Sequence, residues 1–158
     1  MLHIDLTEDQ KKILMADITA RIQYKPRVRY VDSIGYEHVL LLYGYDNDYF
    51  IITNQRVEIN EFQLYLRKLT DMTPDEKDDF YSSLGKIPAF TENGSIILLQ
   101  DADVTEIGDM MMFCRHSYMI ADWMLSHHFD YRGLIDAGLA VEAPQHLYKN
   151  ILNLPLIK

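Results

Sequence analysis

Residues Arg27 to Thr53 read RVRYVDSIGYEHVLLLYGYDNDYFIIT, three runs of β-forming residues separated by two turns. In Arg27-Val28-Arg29-Tyr30, basic and apolar residues alternate with the period of a half-buried strand. Gly35 marks a turn, and Glu37 to Tyr43 is apolar enough for a central strand. Asp46-Asn47-Asp48 supplies the second turn, because short Asx side chains hydrogen-bond their own backbone. Tyr49 to Thr53 follows as a third strand. Loops this short join antiparallel neighbours, so the segment predicts a meander. Downstream, Phe62, Leu64 and Leu66 alternate with Gln63, Tyr65 and Arg67, and the pattern leaves strand and helix both open over 57–67.

Helix signals flank this region. Thr7-Glu8-Asp9-Gln10 is a capping box, and Leu14, Ile18 and Ile22 recur behind it at helical spacing. Glu8 with Lys12, and Asp17 with Arg21, set acid before base at i, i+4, the signature of an exposed face. This helix is expected to end near Ile22, before Pro26. Thr73-Pro74-Asp75-Glu76 is a second capping box with Pro at the first helical position, opening a helix that runs to Leu84 and stops at Gly85. Lys86 to Gly94 reads as irregular and Ser95 to Leu99 as a strand or core segment. Asp109 to Ser126 predicts the longest helix, its polar stripe of Arg115, Met119, Asp122 and Ser126 so narrow that the rest is expected to be buried against the sheet. Asp130 caps a short helix over Tyr131 to Ala137, ended by Gly138, and Leu139 to Ala143 is extended. Together these predict a single α+β domain over 1–158, an antiparallel meander of three to five strands packed against several helices, with 145–158 a peripheral tail.

Composition bounds the function. The chain has 158 residues, 48% hydrophobic and 25% charged, which suits an ordinary globular core. Its longest apolar runs, Val39–Tyr43 and Met110–Cys114, fall far short of the roughly 20 residues a membrane-spanning helix needs. The N-terminal residues lack a basic start and long apolar stretch, and one cysteine makes no internal disulfide, so a cytoplasmic protein is expected. Fifteen basic against 24 acidic residues give a net charge of -9. That balance opposes sequence-independent nucleic-acid binding, which depends on Lys and Arg displacing counterions from phosphates.

The segment Trp123-Met124-Leu125-Ser126-His127-His128-Phe129-Asp130-Tyr131-Arg132-Gly133-Leu134-Ile135-Asp136-Ala137-Gly138-Leu139-Ala140, with Val141-Glu142-Ala143-Pro144 after it, resembles the C-terminal signature W-L-x-x-H-H-F-D-Y-R-G-L-I-x-x-G-L-A-x-E-A-P. That signature belongs to a family of uncharacterised small proteins encoded by phages and integrated mobile elements of gut anaerobes. Leu66 to Lys77 is similar to the same family's Y-L-R-P-L-S-S-M-T-E-E-E-K segment, with Lys68 where the family has proline, which predicts a local backbone difference. The resemblance implies a phage or mobile-element accessory role and no catalytic residues.

His127, His128 and Asp130 are candidate metal ligands by residue type. Adjacent helical residues point about 100° apart, however, and a histidine in a last helical turn also suits the negative end of the helix dipole. Asp101, Asp103, Glu106 and Asp109 lack the spacing of a Ca²⁺ loop and read as capping residues. Cys114 and Met110 to Met112 read as core. No nucleophile elbow, phosphate loop or dinucleotide motif occurs, so no catalytic residue and no cofactor are assigned and the chain leans away from being an enzyme. Arg27 and Arg29, on one strand face, could hold a nucleotide or other small anion, or simply pair with nearby acids. Tyr131 and Arg132 are candidate ligand- or partner-binding residues, Arg132 alternatively pairing with Asp136 on a helix. Tyr24, Tyr30, Tyr36, Tyr43, Tyr45, Tyr49 and Tyr65 crowd the β region, a composition shared by binding surfaces and strands. The leading expectation is a non-enzymatic protein that binds a host or phage protein through an acidic, Tyr-rich surface. The alternatives are a binder sequestering an anionic small molecule or nucleotide signal, and a metal-dependent hydrolase.

Overall fold

The computed structural model describes residues 2–53, 55–90, 93–110 and 116–148. In chain order the elements are α1 (Glu8–Arg21), β1 (Arg27–Val31), β2 (Glu37–Asp46), β3 (Tyr49–Ile52), β4 (Gln55–Val57), β5 (Phe62–Leu66), α2 (Pro74–Leu84), β6 (Pro88–Phe90), β7 (Ile96–Leu98), α3 (Ile107–Met110), α4 (Ser117–Ser126) and β8 (Ala140–Glu142). They fall into two compact units, Met1–Leu66 with Ile135–Lys158, and Arg67–Leu134. The second unit is thus inserted in the chain between β5 and β8. No Gly-, Pro- or Ser-rich linker marks either junction, so composition does not show the division.

The first unit is built on a six-stranded sheet ordered β4-β3-β2-β1-β5-β8. The expected α+β class and antiparallel meander hold, but the strand count exceeds the expected three to five. β1 to β5 are antiparallel to their neighbours; β8 alone runs parallel to β5, pairing Leu64 with Ala140 and Leu66 with Glu142. Asn47 and Asp48 join β2 to β3 with φ values of 47° and 72°. Two left-handed residues make the turn whose twist matches the flanking strands. The alternation read in the sequence sorts the faces: Val28 and Tyr30 of β1, Leu42 of β2, Phe50 and Ile52 of β3 and Phe62, Leu64 and Leu66 of β5 are buried. Residues 62–66 therefore settle as strand. The β2–β3 register shifts between Leu42 and Gly44, a bulge at Tyr43.

α1 begins where its capping box predicts: the Gln10 amide donates to Thr7 Oγ1 at 3.1 Å, and Thr7 N–H donates to Gln10 Oε1 at 2.9 Å. One expectation fails here. Asp17 and Arg21, read as an exposed pair, are fully buried alongside Leu14 and Ile18. Their bidentate contact, Nε to Oδ2 at 2.8 Å and Nη2 to Oδ1 at 2.9 Å, is what lets both charges leave water.

The second unit has a core of Met72, Phe80, Leu84, Leu99, Val104, Ile107, Ile120, Met124 and Phe129. α2 opens with Thr73 Oγ1 accepting from Glu76 N–H at 3.2 Å and Glu76 Oε1 accepting from Thr73 N–H at 3.1 Å. β6 forms where an irregular segment was expected, Pro88 being tolerated as the first residue of its strand, and pairs with β7, which lies in the 95–99 segment read as strand or core. The long helix expected from Asp109 starts differently: His116 at φ -108° and ψ 33° precedes α4, and residues 111–115, with Cys114, Met111, Met112 and Arg115, lie outside the described residues. α4 shares its core with α2; Met119 is exposed, as its place on the stripe predicts, but Tyr118, off the stripe, is exposed as well. Residues 131–137 form no helix. Gly133 at φ 75° breaks any helical run, and Leu134 to Gly138 are turns.

Candidate functional site

Two segments far apart in sequence, one following β5 and one following α4, meet in the second unit at Arg67. Its N–H donates to the His128 carbonyl at 2.8 Å, and its own carbonyl accepts from Asp130 N–H at 2.8 Å, a parallel bridge opposite Phe129. The guanidinium lies over the Phe129 ring at 4.2 Å and donates to both Glu76 oxygens at 2.6 and 2.7 Å and to the His127 carbonyl at 3.2 Å. Phe129 is nearly parallel to Trp123 at 6.0 Å, and Trp123 in turn stacks on His127 at 3.9 Å. Guanidinium, phenyl, indole and imidazole thus form one layered column.

Each layer is pinned from outside. Trp123 Nε1 donates to Asp79 Oδ2 at 2.9 Å, fixing the indole against α2. His127 Nδ1 lies 2.8 Å from the Trp123 carbonyl and 3.0 Å from Ser126 Oγ. Glu76 serves both its cap and Arg67. Burial raises its pKa, but the Arg67 hydrogen bonds and the Thr73 contacts outweigh burial and hold the carboxyl below its ordinary range. Lys68, at φ -70°, keeps a backbone that proline adopts, so the expected local difference is not seen.

The chain then turns sharply. α4 ends at Ser126, and His128 is buried with a left-handed φ of 63°. Asp130 Oδ1 accepts from Leu134 N–H at 2.9 Å, capping a turn where a helix was expected. Tyr131 packs on the core, and its carbonyl sits where a Cβ on Gly108 would come within 2.3 Å, so α3 needs glycine there. Arg132 is exposed, lies over the Tyr131 ring at 5.2 Å and donates from Nε to the Tyr131 hydroxyl at 3.1 Å. With no helix over 131–137, the i, i+4 geometry for an Arg132–Asp136 pair does not exist.

His127, His128 and Asp130 are neighbours in this turn, yet among the described residues no group of three His, Cys, Asp or Glu side chains could hold a metal ion. His127 is instead occupied by Trp123. Asp103 caps the loop after it, its Oδ1 accepting from Thr105 N–H at 2.9 Å, and those bonds hold its carboxyl below the usual range.

Arg27 and Arg29 sit on one face of β1 in the first unit, as the alternation predicts. Arg29 is engaged by Glu37 and donates to Gln63 Oε1 at 2.9 Å. Among the described residues Arg27 has no carboxylate at ion-pair distance, and its N–H donates to the Tyr148 hydroxyl at 2.8 Å. The tyrosines divide. Tyr30 and Tyr65 are buried, and burial pushes the Tyr65 hydroxyl up, whereas Tyr36, Tyr43, Tyr45 and Tyr49 are 67%, 43%, 45% and 42% exposed. Two depressions of about 390 Å³ mark this unit, one on α1 at Glu8, Lys11, Lys12, Met15 and Ala16, the other at Lys11, Asp48, Tyr49, Glu58, Ile59 and Asn60.

Reasoning from residue types missed Arg67, Glu76, Trp123 and Phe129 as a unit, because they lie in two segments that nothing local connects. No helix among the described residues is long and apolar enough to cross a membrane. Compared with known proteins, the chain matches no family model, no curated protein and no solved structure.

Proposed function

We propose that the chain is a non-enzymatic accessory protein of a phage or mobile element that binds a host or phage protein through its acidic, Tyr-rich surface. The observation that carries this reading is the exposure of Tyr36, Tyr43, Tyr45 and Tyr49 on β2, β3 and their flanking turns. A tyrosine offers a large amphipathic contact area at small entropy cost, which is why such residues are enriched at interfaces. Both units are net acidic, with twelve acidic against six basic side chains over 67–134 and twelve against nine in the rest of the chain, so a basic partner is drawn to the Tyr-bearing unit as well. The phage or mobile-element setting rests on the resemblance alone.

The test is co-purification from a bacterial host, repeated with Tyr43→Ser/Tyr49→Ser. A partner held by the parent and weakened by an order of magnitude in the double variant supports the reading. A partner held equally by both defeats it. The anionic-ligand reading keeps one observation in its favour, the Arg27 guanidinium, which has no carboxylate at ion-pair distance among the described residues, while Arg29 is already bound by Glu37 and Gln63. Native mass spectrometry of protein from its host would separate the two readings, since a retained nucleotide selects the second.

A further inference from the structure

We infer that Asn93 deamidates spontaneously in the folded protein, through a succinimide closed by the Gly94 backbone nitrogen. Asn93, Gly94 and Ser95 are exposed in the turn between β6 and β7. Ser95 N–H donates to Asn93 Oδ1 at 3.3 Å. This bond folds the side-chain amide back along its own backbone and so keeps Cγ beside the next peptide nitrogen. Among the described residues nothing accepts from the Gly94 N–H. Gly94 has φ 82° and nothing within 4 Å of where a Cβ would stand, so no side chain crowds the attacking nitrogen or the ring it would form. Holding the two reacting groups together in one turn makes the attack intramolecular, the condition under which such closures are fast.

The step balances without any cofactor. Gly94 nitrogen gives its proton to solvent and bonds to Asn93 Cγ; the Cγ–Nδ2 bond breaks, and the nitrogen leaves as ammonia after taking up a proton. Water then opens the ring. Attack at Cγ gives aspartate, and attack at the main-chain carbonyl gives isoaspartate, which inserts a methylene into the backbone. The other asparagines are each followed by a residue with a side chain: Asp48, Gln55, Glu61, Ile151 and Leu154. Asn60 Oδ1 is moreover buried. The product would carry a new negative charge in the more acidic unit. Its isoaspartyl form would disturb the Phe90–Ile96 pairing and the seat of Ala89 and Ile97 against Ala102.

Ageing of the folded full-length chain in mildly alkaline buffer, followed by peptide mapping, tests this. The expected result is a gain of about one mass unit on the Asn93 peptide, resolved into two isomers and accumulating an order of magnitude faster than on the Asn47 or Asn60 peptides. Asn93→Gln should abolish it. The inference is overturned if the Asn93 peptide converts no faster than the other two, or converts only after the chain has been denatured.

Discussion

The guanidinium of Arg67 is held between the ring of Phe129, 4.2 Å below it, and the carboxylate of Glu76. Arg67 and Phe129 are also joined through their backbones, by the bridge that ties His128, Phe129 and Asp130 to the residue after β5. One side chain thus closes the start of the second unit onto its end. Within the His-His-Phe-Asp-Tyr-Arg-Gly run, His128, Phe129 and Asp130 form this closure, and His128 makes the left-handed turn.

Arg67→Ala should therefore cost about 2 kcal/mol, since it strips a half-buried carboxylate of its charged donors and removes the cation from the Phe129 face. Arg67→Lys should recover less than half of that, because an ammonium cannot reproduce the two-pronged contact. Chemical denaturation midpoints check both. An unchanged midpoint for the alanine variant would mean that the column does not contribute to stability.

The same pair predicts a pH dependence. The Glu76 pKa is lowered from its ordinary value of 4.5, so the folded state binds its proton less readily than the unfolded chain. The stabilisation is then present above 4.5 and is lost as pH falls through the lower folded value. Glu76→Gln keeps a side chain able to complete the capping box while removing the titration. The stability gap between parent and variant should hold steady at neutral pH and narrow on acidification through the region below 4.5. A gap independent of pH across that region would show that the charge on Glu76 contributes nothing.

In α1, Arg21→Ala should destabilise by about 3 kcal/mol or more, because it leaves the fully buried Asp17 carboxylate without its bidentate partner. Replacing both, as Asp17→Leu/Arg21→Met, should recover much of the loss, since an apolar pair of similar volume avoids the desolvation penalty. Thermal melts of the three chains decide it. If the single variant melts with the parent, the pair is exposed in solution, as its spacing first suggested.

That discrepancy shows where local reading stops. The capping boxes at Thr7 and Thr73, the Asn47–Asp48 turn and the alternation of Val28, Tyr30, Phe62 and Leu64 are local, and each was legible because its physics is complete within a few residues. Asp17 and Arg21 sit at i, i+4 whether they face water or the core, so spacing could not give their burial. β4, β6 and β8 span three residues each, too few to show a period. β8 exists only because it pairs with β5, far away in sequence. The Arg67 column fails for the same reason: its layers come from residues 67, 76, 123, 127 and 129, and nothing in either segment alone says that they meet.

Tyr148 offers the sharpest separation of one atom from one ring. Its hydroxyl accepts from Arg27 N–H at 2.8 Å and donates to the Tyr65 carbonyl at 2.9 Å, bridging β1 and β5 beyond the last residues they pair directly. Its ring packs with Tyr65, Ala143 and Leu147. Tyr148→Phe keeps the ring and leaves one donor and one acceptor unpaired, a loss of about 1–3 kcal/mol. Tyr148→Ala removes the ring as well and should cost more, about 3–5 kcal/mol in line with other large-to-small aromatic truncations. Hydrogen exchange at the Arg27 amide gives the local readout: protection should fall in Tyr148→Phe while amides at the centre of β1 stay protected. Should that amide exchange at the parental rate in the Phe variant, the hydroxyl is not what holds β1 and β5 together at this end, and residues 145–148 are not seated as the bridge requires.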